Sequence, residues 1–117
     1  MPARSCAAWS AGPPSKPPTR DIATIAGDGR SVCKLSGLAT EAGRQWSVDA
    51  LRPYVEHLLA CFGPARLIFG SDWPVLTLVG SYGDWVSAVR VYLAPLADAD
   101  RAAVLGGNAQ RVYRLDR

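Results

Sequence analysis

The amino-acid sequence predicts an α/β fold in which parallel strands are joined by helical crossovers. Two short apolar runs, residues 31–36 and 66–70, read as strands, and a stretch of helical periodicity follows each of them. Parallel strands need a long connection, and a helix of this length supplies it.

The elements follow in order. Residues 1–20 hold Pro2, Pro13, Pro14, Pro17 and Pro18 together with Gly12 and several serines. Neither helical nor alternating periodicity fits that spacing, so this stretch is expected to be a disordered, proline-rich tail, with residues 21–117 as the folded part. Pro14-Ser15-Lys16-Pro17 also matches the permissive P-x-x-P pattern, for which a linker or remnant is the simpler account. From Asp21 the pattern changes: Ile22, Ile25 and Ala26 share a helical face, and Gly27-Asp28-Gly29 should stop that helix. Ser31-Val32-Cys33-Lys34-Leu35-Ser36 then fits a strand buried on both faces, with Lys34 as its odd member.

A loop over residues 39–49 leads to Leu51, Val55, Leu58, Leu59 and Phe62, which lie on one helical face, while Arg52 and Glu56 are spaced to pair on the other. Pro53 is expected in the first turn, where its missing N–H costs least, and Gly63-Pro64 should end the helix. Arg66-Leu67-Ile68-Phe69-Gly70 is the second buried strand. Beyond the loop at 80–83, Trp85, Val89, Leu93 and Leu96 again recur at helical spacing, with Asp84 placed to cap that helix or to favour its start electrostatically. Asp100 is expected to cap a turn through Val104 and Leu105, and Asn108 to be the N-cap of a helix over 109–115.

Composition narrows the function. The 117 residues are 49% hydrophobic and 20% charged, the make-up of one ordinary globular domain. Of the thirteen basic residues Arg4, Lys16 and Arg20 lie in the tail, leaving ten against ten acidic ones from Asp21 onward. The folded part is neutral, without the basic face that a phosphate backbone requires, so no nucleic-acid partner is expected. No apolar run approaches the roughly 18 residues of a membrane span, so no membrane partner is expected either. The tail lacks acidic residues as transit peptides do, but its prolines oppose an amphipathic helix and it has no secretory apolar core. Cys6, Cys33 and Cys61 are odd in number and widely spaced, which suggests reduced thiols and a cytoplasmic protein.

Reacting groups of α/β proteins lie at the carboxyl ends of strands, which directs attention to the residues after Leu35 and after Phe69. Asp72 stands at the second place. A carboxylate fixed there can bind a divalent metal or take a proton from a water attacking an ester or amide carbonyl, although an Asp after a strand commonly just closes a turn.

The block Leu67-Ile68-Phe69-Gly70-Ser71-Asp72-Trp73-Pro74 closely resembles the eighth-strand signature of the amidohydrolase-related family often called amidohydrolase 2, and its sugar-lactonase and dicarboxylate-lactonase branch in particular. Cys33-Lys34-Leu35-Ser36-Gly37-Leu38 is similar to that family's seventh strand, and Gly106-Gly107-Asn108-Ala109-Gln110-Arg111-Val112-Tyr113 to its closing helix. The resemblance implies a partial (β/α)₈ TIM barrel, limited here to the last two strand-helix units behind the disordered tail. It implies hydrolysis of a small-molecule lactone, ester or amide by activated water, with Asp72 as catalytic base or metal ligand and, in some branches, zinc or a similar divalent ion. Trp73 and Pro74 match the loop that shapes the family's pocket, or serve as packing and turn residues. Lys34 either reaches that pocket or turns its ammonium to solvent; the second is expected, since buried lysines need a partner.

The chain departs from the family in two ways. A complete barrel takes roughly 250 residues, about twice this length. The family's His-x-His pair and further histidine have no counterpart, because the one histidine, His57, sits within the amphipathic helix, where a surface or interface role is expected. The chain therefore reads as a truncated, split or misjoined copy of the enzyme. It is either active once the missing strands are supplied, or an inactive remnant prone to self-association through exposed sheet edges.

Overall fold

The computed structural model describes residues 3–5 and 20–115. Its elements are β1 (Ala3–Ser5), α1 (Arg20–Ala26), β2 (Val32–Leu35), α2 (Leu38–Ala42), α3 (Val48–Phe62), β3 (Leu67–Phe69), α4 (Tyr82–Leu93), α5 (Asp98–Ala102) and α6 (Asn108–Val112). Short 3₁₀ turns cover Pro64–Arg66 and Val75–Leu78, and a π-helical turn at Ala103–Gly107 joins α5 to α6. The three strands form one parallel sheet in the order β1-β2-β3.

Strand β1 lies inside the stretch expected to be a structureless tail, and the sheet has three strands where two were expected. Ala3, Arg4 and Ser5 pair with Val32, Cys33 and Lys34. An unpaired strand edge carries a row of backbone donors and acceptors, and three residues of any composition without proline can satisfy it. The rest of the expected tail lies outside the described residues.

Registers Cys33↔Leu67, Lys34↔Ile68 and Leu35↔Phe69 put Cys33, Leu35 and Leu67 on one face of the sheet. That face is the core. Leu51, Val55, Leu58 and Phe62 of α3 pack on it with Trp85, Ala88, Val89 and Leu93 of α4 and Val104 of the π turn, all buried. The periodicity read from the sequence is therefore the packing face of each helix, and full burial of each such side chain contributes about 1.5–3 kcal/mol.

Helix α3 starts three residues earlier than its apolar spacing suggested, because the Ser47 hydroxyl caps it by accepting from the Ala50 N–H at 3.0 Å. Pro53 consequently sits beyond the first turn, inside the helix. Arg52 pairs with Asp49 at 3.5 Å and lies over the Tyr92 ring, not with Glu56 as expected, since the earlier start places Asp49 within its reach. Helix α4 begins with a complete capping box: Ser81 accepts from the Asp84 N–H, and Asp84 accepts from the Ser81 N–H.

Two expected caps are corrected. Helix α5 starts at Asp98, so Asp100 belongs to its first turn and caps nothing. Asn108 continues the helical backbone, with φ −66° and ψ −39°, and is not an N-cap. Its buried side chain instead donates Nδ2–H to the carbonyls of Pro64, at 2.6 Å, and Leu67, at 2.8 Å. Arg111 adds a bond to the Ala65 carbonyl. The start of β3 is thus held by side chains of α6.

A second cluster secures the amino ends of β2 and β3. The Arg66 guanidinium donates to the carbonyls of Ala26, Ser31, Cys61 and Phe62, and it approaches Asp28 at 3.9 Å. Asp28 accepts from the Arg30 and Ser31 amides and the Ser31 hydroxyl, and these bonds hold its carboxyl down at about 2, below the ordinary 3.8.

Cys33 is disulfide-bonded, in contrast to the reduced thiols expected, and Cys61 is free. Distance along the chain does not determine which cysteines meet in space. No helix among the described residues is long and apolar enough to cross a membrane.

Candidate functional site

The carboxyl ends of β2 and β3 come together because a glycine allows it. Gly70 donates its N–H to the Leu35 carbonyl at 3.1 Å, extending the pairing past β3. A Cβ on Gly70 would stand 2.7 Å from the Ser36 Cβ, closer than packed carbons approach. On its other side the Gly70 carbonyl accepts from Trp85 Nε1–H at 2.8 Å, so the buried indole of α4 clamps the backbone immediately before Ser71 and Asp72.

Asp72 follows with φ 57°, in the left-handed region that Asp and Asn tolerate better than most side chains. Its carbonyl accepts from the Leu76 N–H at 2.8 Å and starts the turn over Val75–Leu78, while the Ser71 hydroxyl accepts from the Trp73 N–H. The chain reverses here, and the half-buried carboxylate is carried towards α2. There Thr40 Oγ1–H donates to Asp72 Oδ2 at 2.6 Å. Oδ1 has no protein donor among the described residues.

The remaining candidates are placed elsewhere. Trp73, Val75 and Leu78, which follow Asp72 in the chain, are exposed, Trp73 at 65%. Lys34 is half-buried, with its ammonium 5.7 Å from the centre of the exposed Tyr113 ring. His57 lies on α3 against Cys61. A groove of about 460 Å³ between the amino-terminal halves of α3 and α4, lined by Arg44, Trp46, Val79 and Asp84 among others, does not include Asp72.

Thr40 and Trp85 are the neighbours that the sequence did not reveal as part of this place. Trp85 was legible as a core residue by its spacing, and its indole N–H had to find an acceptor once buried. Thr40 carried one weak signal, its position five residues beyond the end of β2.

As a metal site the described residues are insufficient. They contain no group of three or more His, Cys, Asp or Glu side chains able to hold one ion, and structural or catalytic zinc takes three or four protein ligands. What the arrangement offers is one oriented carboxylate at a strand end, with one oxygen held by a hydroxyl and the other open.

The family model described as amidohydrolase matches residues 7–115. An L-fucono-1,5-lactonase of Burkholderia ambifaria is 47% identical in an alignment of 92 residues that covers 73% of this chain and 31% of that protein. The L-fucono-1,5-lactonase of Burkholderia multivorans is 44% identical over 72% of this chain and 30% of its own length. Among solved structures, a Burkholderia multivorans amidohydrolase with bound zinc superposes with a TM-score of 0.74 at 41% identity, covering 79% of this chain and 34% of that one. The chain spans about a third of the length of the relatives it matches.

Proposed function

Because the chain belongs to the amidohydrolase family, we propose that it supplies the closing strand-helix units of a (β/α)₈ barrel that hydrolyses a lactone or a related ester or amide. The observation that carries this reading is the placement of Asp72 at the end of a parallel strand, with its carboxylate oriented by Thr40. The names of the relatives favour a sugar lactone of the L-fucono-1,5-lactone type as the substrate class.

In this reading the open oxygen of Asp72 takes a proton from a water molecule as that water's oxygen bonds to the lactone carbonyl carbon. The tetrahedral intermediate then collapses, the ring C–O bond breaks, and the proton passes to the departing ring oxygen, giving the open hydroxy acid. A general base of this kind contributes about 10²–10⁴-fold. One carboxylate does not make a zinc site, and the described residues bring no cluster of further ligands to it, so no step is routed through a metal.

The test is an assay of the chain on simple sugar lactones, alone and combined with a polypeptide carrying the earlier barrel strands of a relative, with and without divalent metal. Asp72→Asn is expected to lower turnover of the reconstituted barrel at least about 100-fold. Full activity in that variant would remove Asp72 from the mechanism.

A second reading, an inactive remnant that associates with itself, is favoured by the exposure of Trp73 and Leu78, at 65% and 66%, beside Val75. Size-exclusion chromatography over a range of concentrations separates the two: a compact monomer throughout contradicts self-association.

A further inference from the structure

The stretch that carries Asp72 is fastened at both ends by tryptophan. Residues 71–79 include the exposed side chains of Trp73, Val75 and Leu78, and Leu76 alone among them is fully buried. A surface segment with so little packing of its own opens easily unless its backbone is tied down. At its entry Trp85 Nε1–H donates to the Gly70 carbonyl at 2.8 Å, and at its exit Trp46 Nε1–H donates to the Val79 carbonyl at 3.2 Å. The two indoles meet edge to face, with ring centres 6.1 Å apart and planes at 75°. An indole has one N–H and no acceptor, so each ring is committed to the carbonyl it holds. Gly80 permits the contact at the exit, because a Cβ there would stand 3.1 Å from Trp46 Nε1.

We propose that Trp46 and Trp85 act together as a clasp, positioning residues that fix segment 71–79 and so hold the Asp72 carboxylate in one orientation. Trp46 stands just before α3 and Trp85 within α4, the two helices packed on the sheet, so the clasp ties the segment to the rigid part of the chain. Thr40 holds one oxygen of the carboxylate, while the clasp holds the backbone from which that carboxylate extends. Both tryptophans act through backbone carbonyls. The consequence for catalysis rests on the hydrolytic reading: a reacting group displaced by about 1 Å can lose about 100-fold in rate. The clasp itself does not depend on that reading.

Amide hydrogen exchange of the full chain reads the clasp without substrate. Trp46→Phe and Trp85→Phe keep an aromatic ring and remove the N–H, whereas Gly80→Ala leaves both indoles and obstructs one. The amides of Leu76, Val79 and Gly80 bond within this turn, and their exchange should rise about two- to tenfold in each variant. Leu58 of α3 and Val89 of α4 should keep the parent rates. If Trp85→Phe also speeds those two, it has loosened the core, and Trp46→Phe with Gly80→Ala decide. In the reconstituted barrel acting on a sugar lactone, the same variants should lower kcat about tenfold and change KM by less than about twofold. Parent-like exchange at Leu76, Val79 and Gly80 would overturn the proposal, and so would faster exchange with an undiminished kcat. A parent barrel without activity would count against the hydrolytic reading instead, and exchange would still decide whether the clasp holds the segment.

Discussion

Thr40 Oγ1 donates a 2.6 Å hydrogen bond to Oδ2 of Asp72, joining the segment that follows β2 to the segment that follows β3. The bond holds one carboxylate oxygen and so selects the direction of the other. Thr40→Val keeps the shape and removes the donor, whereas Thr40→Ser keeps the donor. In the reconstituted barrel Thr40→Val is expected to lower kcat by about tenfold with little change in KM, with fold stability changed by only about 1 kcal/mol. Thr40→Ser should recover most of kcat. Equal activity in all three proteins would show that Thr40 does not position the carboxylate.

Gly70 is the residue that lets the two strand ends approach. Gly70→Ala puts a methyl group 2.7 Å from the Ser36 Cβ and should cost about 1–3 kcal/mol in urea unfolding. Adding Ser36→Gly removes the carbon it meets, so the double variant should regain part of that loss. The interaction energy from the four proteins measures the contact itself.

Asn108 holds two carbonyls at the start of β3 from a buried position. Asn108→Ala leaves both without that donor and is expected to cost about 1–3 kcal/mol. Asn108→Asp should cost more, because a carboxylate has no N–H to give and faces two carbonyl oxygens. Thermal unfolding of the two variants beside the parent chain checks the order; an Asp variant as stable as the parent would contradict the assigned bonds.

Acid should weaken the cluster around Asp28. Its carboxyl is held at about 2 in the folded chain, chiefly by the Ser31 hydroxyl and then by the Ser31 and Arg30 amides, against 3.8 for the free group. A depressed carboxylate contributes stability that is fully present above the unfolded value and is lost as pH falls through the folded one. The difference in urea midpoint between the parent and Asp28→Asn should therefore be constant above about pH 5 and shrink between about pH 4 and pH 2. A difference that does not change over that window would exclude the carboxylate as its source.

Residue spacing along the chain was enough to tell which faces are buried and where the strands end. The 3.6-residue recurrence of Leu51, Val55, Leu58 and Phe62 is a property of neighbouring residues, and it became the contact between α3 and the sheet. The run from Leu67 to Gly70 likewise located the strand end that carries Asp72. What those ends meet depends on how distant segments pack. Thr40 is 32 residues from Asp72 and Asn108 is 41 from Leu67. A threonine after a strand or an asparagine before a helix looks the same whether its polar group serves the local backbone or a distant one. Helix start sites such as Ser47, and the pairing of Ala3–Ser5 with β2, were similarly settled by which donors and acceptors were left unsatisfied once the core had formed. Local spacing reports where a side chain points, but hydrogen bonds between distant segments exist only after packing has brought those segments together.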